Sequence, residues 1–523
     1  LLKKIDKYCE YSIDEKVVDK MEIEDRKYYG ETILKLIDNS IVRQNSFTIA
    51  MGPSGEELKS RLENMIFSKR NSRTRHVISL FVLILILVSG LAIACNIVPD
   101  KPIWENDPFI VYIKEDGLYF SHLNNGEEVR IHEGKEFSYP LISKSGDYIA
   151  YISKDSLYIY DMKNKKYEKI ADKMDSYCNS YGWIDDKTIV FATNEPGFTI
   201  FDMSTKNREE HLDEYYYTNF KVSNRNIIYG IKISKWTTEE GEFSDNDGIV
   251  EIDLKSYNSK NKMFSTNTIV EGRRSTDEMI GYDPTIWDIT EDGKYIYIME
   301  KPASGSLSTD GIGIGIYDVD KKEHTELADI TTLPYKNHLS LNPRYNNLIA
   351  LIEGAGREMI LNKEVILLDI SKDKTYKTIK FMDRDLVAMT PNFTLDGEKL
   401  LYSATKNLED SWKTDSNKAY DDWENQTHNI YEYDLKTLKT KKITEGNYFD
   451  FMPISISQDE ILFSRYKGNG YHSLIKLVNG REKVIADNVI IDYEREGGIF
   501  GFYGHLETEK GIDIYLNNKN GNF

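Results

Sequence analysis

The chain has 523 residues with 67 basic and 86 acidic side chains, a formal net charge of −19 that is unevenly spread: 15 Lys and Arg stand against 13 Asp and Glu before Val77, and 52 against 73 from Val77 onward. So large an acidic excess in the longer part disfavours nucleic acid and anionic lipid headgroups as its ligands and leaves cations, sugars or basic peptides. Cys9, Cys95 and Cys178 fall in three different parts of the chain, so no disulfide framework supports the fold, and 36 Tyr against 12 Pro favour sheet over disorder.

In chain order, residues 1–76 read as helical. Apolar residues recur at helical spacing from Tyr11 to Leu36, and Ser54-Gly55-Glu56-Glu57 is a capping box before a helix with Leu58, Leu62, Met65 and Ile66 on one face. Val77 to Cys95 then runs for nineteen residues without a charge. As a helix it spans about 28 Å, close to the hydrocarbon thickness of a bilayer, and satisfies its own backbone there. This predicts a transmembrane helix. Lys69, Arg70, Arg73, Arg75 and His76 precede it, whereas Asp100, Glu105 and Asp107 follow against a single Lys101, which places residues 1–76 in the cytoplasm and everything after Cys95 outside. A signal peptide has the same parts, but here 76 residues stand before it. The first residue is Leu1 rather than Met, and the sequence is read as cut at its N-terminus. Leu91 to Cys95 superficially matches a lipoprotein cleavage site, except that Ala92 stands where a branched aliphatic residue belongs.

Within the N-terminal segment lie Glu10-Tyr11-Ser12-Ile13-Asp14-Glu15-Lys16-Val17-Val18 and then Arg26-Lys27-Tyr28-Tyr29-Gly30-Glu31-Thr32-Ile33-Leu34, followed by Leu58-Lys59, Arg61-Leu62 and the apolar span. This order resembles the last part of the membrane zinc metallopeptidases of the β-lactam sensor-transducer (antirepressor) family. The resemblance implies that Glu10 is a third zinc ligand and that Asp14, one turn on, orients the site from behind it. A carboxylate with two imidazoles leaves zinc a fourth position for water. Ser12-Ile13 departs from the family pattern, and the H-E-x-x-H helix is absent, since all nine histidines lie at or beyond His76. Catalysis therefore requires an upstream segment carrying that motif, and the sequence given is not a complete peptidase.

After a linker at residues 96–107, residues 108–518 repeat a unit of short strand, turn, hydrophobic strand, loop and alternating strand ending in Asp. Six such Asp, at 161, 202, 253, 318, 369 and 434, are separated by 41, 51, 65, 51 and 65 residues, which fits a unit of about 40 residues with insertions, the period of a four-stranded propeller blade. Each Asp is expected to accept backbone N–H groups in an Asx turn. Partial units at both ends predict a mainly β fold, a propeller of eight blades with seven as the alternative, whose first and last segments share a blade. The P-x-hydrophobic-S/T-x-D-G strand and turn resemble the repeats of TolB and of the propellers of prolyl-peptidases, a resemblance of fold that leaves function open.

Four insertions between the second and third strands of successive units, at residues 235–247, 303–311, 354–363 and 406–428, predict one elaborated face. It carries Trp236, Trp412, Tyr420 and Trp423 among acidic residues, a set suited to sugar stacking or to a basic peptide, though loops covering blade edges give the same pattern. Asp245-Asn246-Asp247-Gly248 hints at calcium but lacks the remainder of a twelve-residue loop and reads as a turn. Two functions follow. One is a membrane sensor-transducer whose extracellular propeller binds a peptide or saccharide and whose inner part, once completed, cleaves a cytoplasmic repressor-type substrate with zinc. The other is a non-enzymatic anchored propeller that binds cell-wall or peptide ligands. A prolyl-peptidase activity is disfavoured, because no G-x-S-x-G follows the propeller.

Overall fold

The computed structural model describes residues 13–14, 16–42, 59, 62–63 and 108–516, without 175–179, 224, 226, 239–240, 357–360, 371–375, 417, 420–424, 469 and 492–511. Glu10, the apolar span Val77–Cys95, the linker, Tyr420 and Trp423 lie outside the described residues. Among the described residues no helix is long and apolar enough to cross a membrane. The chain divides into two compact units, Leu1–Asp100 and Lys101–Phe523.

In the first unit the expected helix from Tyr11 to Leu36 is interrupted. One helical stretch ends in a turn where Met21 N donates to Val18 O (3.1 Å), and a second helix runs from Ile23 to Val42. Glu24 and Asp25 in its first turn favour a new N-terminus, since their charges sit at the positive end of the helix dipole, and Arg26 Nε holds Met21 O at 2.9 Å across the break. Asp14 and Val18, four residues apart, share the buried face of the first stretch. Gly30 is buried, and a methyl group there would stand 3.1 Å from Leu62 Cδ2, so glycine permits the close approach of the two segments.

The second unit is mainly β: every sheet is antiparallel and built from four-strand groups. Among the described residues there are eight. Residues 137–171, 181–211, 216–271, 285–332, 339–380, 386–442 and 449–490 each form one, here called blades 2 to 8. Blade 1 takes Phe109–Lys114, Gly117–His122 and Glu128–Glu133 from the start of the unit and its innermost strand, Ile512–Tyr515, from the end. Phe109 pairs with Tyr515 and Tyr112 with Ile512, so first and last segments share a blade, as the partial repeats predict. Second strands such as Phe109–Lys114 and Leu348–Glu353 are buried almost throughout because both faces meet neighbouring blades, whereas outermost strands such as Lys439–Lys442 are exposed.

The repeated Asp residues accept backbone N–H groups at the turns between third and fourth strands, except that Asp253 does so within its strand, Gly241–Asn258, before the turn. Asp161 Oδ1 accepts from Asn164 N (2.8 Å), Asp202 Oδ1 from Ser204 N and Thr205 N (2.7 and 3.0 Å), Asp253 Oδ1 from Lys255 N (2.9 Å), Asp318 Oδ1 from Lys321 N (3.1 Å) and Asp434 Oδ1 from Lys436 N and Thr437 N (3.0 and 2.6 Å). Asp369 accepts from Asn347 Nδ2 (2.7 Å), and the residues that follow it at 371–375 lie outside the described residues. The turns between first and second strands use the S/T-x-D-G signature. Thr394 Oγ1 donates to Asp396 Oδ1 (2.6 Å) and accepts from Lys399 N (3.1 Å), while Gly397 takes φ 68°. A methyl group at Gly397 would also collide with Asn342 Oδ1, whose amide nitrogen bonds the Gly397 carbonyl at 2.9 Å.

The innermost strands hold the blades together. Tyr139, Asn219, Thr390 and Met452 all have positive φ (52°, 52°, 48° and 52°), each at a β-bulge in the first strand of its blade. Non-glycine residues occupy that region at a cost, and the bonds made there show what opposes it. Asn219 Nδ2 donates to Ile286 O (3.0 Å) and Thr390 Oγ1 accepts from Met452 N (3.0 Å), each reaching the next blade. Tyr139 O accepts from Tyr181 Oη of blade 3. Trp183 Nε1 to Leu141 O, Trp287 Nε1 to Lys336 O and Phe393 N to Ser340 Oγ, at 3.0, 3.0 and 3.1 Å, continue the series. The result is a β-propeller.

Candidate ligand cavity

In a four-stranded antiparallel meander the 1–2 and 3–4 turns emerge at one end of the blade and the 2–3 loops at the other. The axis of the propeller contains a cavity of about 830 Å³, within the usual range for small-molecule sites. Its wall comes from seven of the eight blades, mostly through the first strands and the 1–2 turns, with Lys336 and Asn337 from just before the first strand of blade 6. Most of the lining therefore lies towards the turn end, opposite to the long insertions on which the sequence had placed the candidate aromatics.

Charges on this wall balance. Lys144, Lys221 and Lys336 stand against Asp186, Asp288 and Glu291. Lys221 Nζ and Asp288 Oδ1 meet across blades 4 and 5 at 3.4 Å, longer than a tight charge-assisted bond, and both side chains are partly exposed. Lys144 and Asp186 on the rim have no hydrogen bond or ion pair with the described residues, nor has the side chain of Asn392, halfway down the wall. Asn337, also on the wall, buries both carboxamide atoms without a partner among the described residues, a cost for groups that normally keep hydrogen bonds. Trp287 contributes an edge only, being 1% exposed. In blade 1, burial pushes the Asp513 carboxyl up to about 7, although Ile142 N (2.6 Å), Ile514 N (2.9 Å) and the charge of Lys336 pull the other way.

The insertion end is differently built. Trp236 lies on a strand, not a loop: Ile227–Thr238 and Gly241–Asn258 form one long hairpin in which Trp236 pairs with Phe243. The two rings stack at 6.0 Å, and the Arg274 guanidinium lies over the indole at 4.2 Å while also bonding Asp245. Asn246 and Asp247 are likewise engaged, with Pro284 O and Ser234, and no group of three or more metal-ligating side chains exists among the described residues. The second insertion forms a short helix, Gly305–Asp310, and Ala303 N donates to Gly281 O (3.0 Å). Gly356 N in the third bonds Asp310 O (2.7 Å) in the second, and buried Lys363 gives its ammonium to the carbonyls of Ala355 and Leu361 (3.1 and 3.2 Å). Trp412 falls on the helix Glu409–Thr414 in the fourth. Among the described residues the first three insertions thus bond within themselves or to neighbouring loops at this end.

Four buried histidines lie towards this end. His211 Nε2 meets Asp213 Oδ2 at 3.0 Å and its Nδ1 accepts from Phe264 N at 3.0 Å. Burial lowers the imidazoles of His338, His428 and His472 to about 3, keeping them neutral. Asp450, fully buried, is clasped by Arg465 through Nε (2.7 Å) and Nη2 (2.9 Å), and burial still raises its carboxyl above the ordinary range.

For zinc, Asp14 is buried on its helix and Glu10 lies outside the described residues. Residues 1–75 contain no histidine, so they offer no imidazole to share a zinc ion with Glu10 and do not by themselves fit a zinc site.

The polar cavity residues were not singled out from the sequence, yet they carry a signal. Lys221, Asp288 and Asn392 each stand two residues before the turn hydroxyl of their blade, at Ser223, Thr290 and Thr394, a position that the bulge turns towards the axis.

No family model matches the sequence, and no curated protein matches it. Among solved structures, the dihydro-heme d1 dehydrogenase NirN in complex with DHE aligns with a TM-score of 0.51 at 11% identity, over 80% of this chain and 78% of that one. Looser alignments are found with dipeptidyl peptidase 4 of Porphyromonas gingivalis (0.47, 10% identity, 72% and 57% covered) and with TolB of Acinetobacter baumannii (0.31, 9%, 73% and 65%). At such identities the likeness is one of fold.

Proposed function

We propose that this chain is a membrane-anchored sensor: an eight-bladed propeller that takes an external ligand in its axial cavity, carried on a single span at Val77–Cys95. The observation that supports a binding role is the cavity itself, a concave and largely apolar site at which Asn392, Lys144 and Asp186 hold hydrogen-bonding capacity unused by the described residues. In the sensor-transducer form of this reading, occupancy is relayed to a cytoplasmic metallopeptidase part, with Glu10 and Asp14 in the roles the resemblance implies and a repressor-type protein as substrate. In the second form the propeller is an anchored binding protein with no catalysis of its own.

The native cysteines test the anchoring. In intact cells a membrane-impermeant maleimide should label Cys178 and spare Cys9 until the cells are lysed; labelling of both, or of Cys9 alone, sinks the topology. Zinc-dependent cleavage left undiminished by Glu10→Gln would remove Glu10 from any metal role.

A further inference from the structure

We infer that the axial cavity takes a neutral saccharide, gripped by hydrogen bonds to adjacent hydroxyls rather than by ring stacking; this rests on the cavity being the ligand site. Three features of the wall select that class. Three lysines face three carboxylates, so the cavity has no net charge to match an ionic ligand, although the propeller around it is strongly acidic. Among the described residues no arginine lines it, and planar bidentate recognition of carboxylate or phosphate is arginine chemistry. The available groups are instead paired donors and acceptors: the carboxamide of Asn392, and the Lys221–Asp288 pair at 3.4 Å. Two hydroxyls on neighbouring carbons present the same complement, one accepting from Nδ2 or Nζ while the other donates to a carboxamide or carboxylate oxygen.

Stacking and strand addition are both disfavoured by the same geometry. Trp287 is 1% exposed and its Nε1 is committed to Lys336 O, so it has no free ring face to offer. An extended peptide would bind by pairing with the open edges of innermost strands. Those edges are interrupted by bulges and bonded to the next blade, with Met452 N on Thr390 Oγ1, Phe393 N on Ser340 Oγ and Ile286 O on Asn219 Nδ2.

The test titrates the full chain in detergent micelles with cellotriose, maltotriose and N,N′,N″-triacetylchitotriose as neutral probes, and with trigalacturonate and tri-alanine as charged and peptide probes, by calorimetry and saturation-transfer NMR. At least one neutral trisaccharide should bind saturably, and Asn392→Ala and Asp288→Asn should each weaken it tenfold or more with the melting temperature unchanged within a few degrees. Binding of trigalacturonate or tri-alanine alone, weakened by Asn392→Ala, overturns the neutral saccharide and keeps the cavity as a ligand site. Neutral binding indifferent to both substitutions overturns the assignment to this cavity. No binding by any probe overturns the saccharide inference, and the cavity reading falls with it if Asn392→Ala also leaves signalling in cells unchanged.

Discussion

The two ends of the propeller are made from loops of opposite character, and the shorter ones leave the site. At the turn end, tight S/T-x-D-G and Asx turns close on their own backbone within a few residues, and among the described residues they leave the polar groups of the cavity wall unengaged at Lys144, Asp186 and Asn392. At the insertion end, loops of nine residues and more have enough length to fold over, and their described residues spend their polar groups on one another: Arg274 on Asp245 and Trp236, Gly356 on Asp310, Lys363 on two carbonyls. Length and aromatic content therefore mark the self-bonded end here, and unused hydrogen-bonding capacity marks the other.

If the insertion end is the structural end, damage to its buried charges should cost most. Asp450→Ala leaves Arg465 half-enclosed beside an empty position, and breaking such a buried pair costs on the order of 3–5 kcal/mol. Chemical denaturation should show a drop of that order, and a loss below about 1 kcal/mol would mean the pair is solvated and the end less closed than described. Acid should act on the same end. An unfolded histidine takes its proton near pH 6.5, whereas His338, His428 and His472 take theirs only near 3, so between these values the unfolded chain binds more protons and stability falls as the pH drops. Asp513 works in reverse. Its folded value of about 7 lies above that of an unfolded aspartate, so the stability it contributes is present below pH 4 and is lost as the pH rises through 7. Melting temperatures from pH 4 to 8 should rise with pH as the histidines dominate, and Asp513→Asn should steepen that rise; a flatter profile in the variant contradicts the sign given for Asp513.

Much of the propeller was legible because its signals are local. An Asp followed by a short polar run fixes its own local bonds, whichever blade lies beside it, and the five repeat Asp whose following residues are described all accept backbone N–H groups as expected. The sharing of one blade by both ends was readable from two partial repeats. What could not be read depends on neighbours. The bulges at Tyr139, Asn219, Thr390 and Met452 have no common residue type, because each is stabilised by whatever atom the next blade presents. Trp236 reads as free for a ligand until the chain folds Arg274, thirty-eight residues later, onto its ring. The break at Met21 in the N-terminal helix was masked by uninterrupted apolar spacing, while the acidic pair Glu24 and Asp25 was the available clue.

Smaller effects sharpen the contrast at the turn end. Gly397→Ala should lower stability by about 1–3 kcal/mol, since φ 68° disfavours any side chain and the added methyl meets Asn342 Oδ1. Asp202→Ala, which frees two backbone N–H groups to water on an exposed turn, should cost about 1 kcal/mol, the scale of losing a comparable helix cap. Thermal melts of the two variants rank them, and equal losses would imply that the Gly397 turn can relax.

The smallest expected effect is the most discriminating. Trp236→Ala removes an indole that stacks only on Phe243 and Arg274, at the end of a hairpin, so stability should change by about 1 kcal/mol or less. Ligand affinity should not change at all, because the ring lies at the insertion end, away from most of the cavity lining, whereas Asn392→Ala on the cavity wall should weaken binding tenfold or more. Measured side by side on one ligand, the pair separates the two ends directly. A loss of affinity in Trp236→Ala with Asn392→Ala unaffected would return the site to the insertions and make the axial cavity a gap between blades.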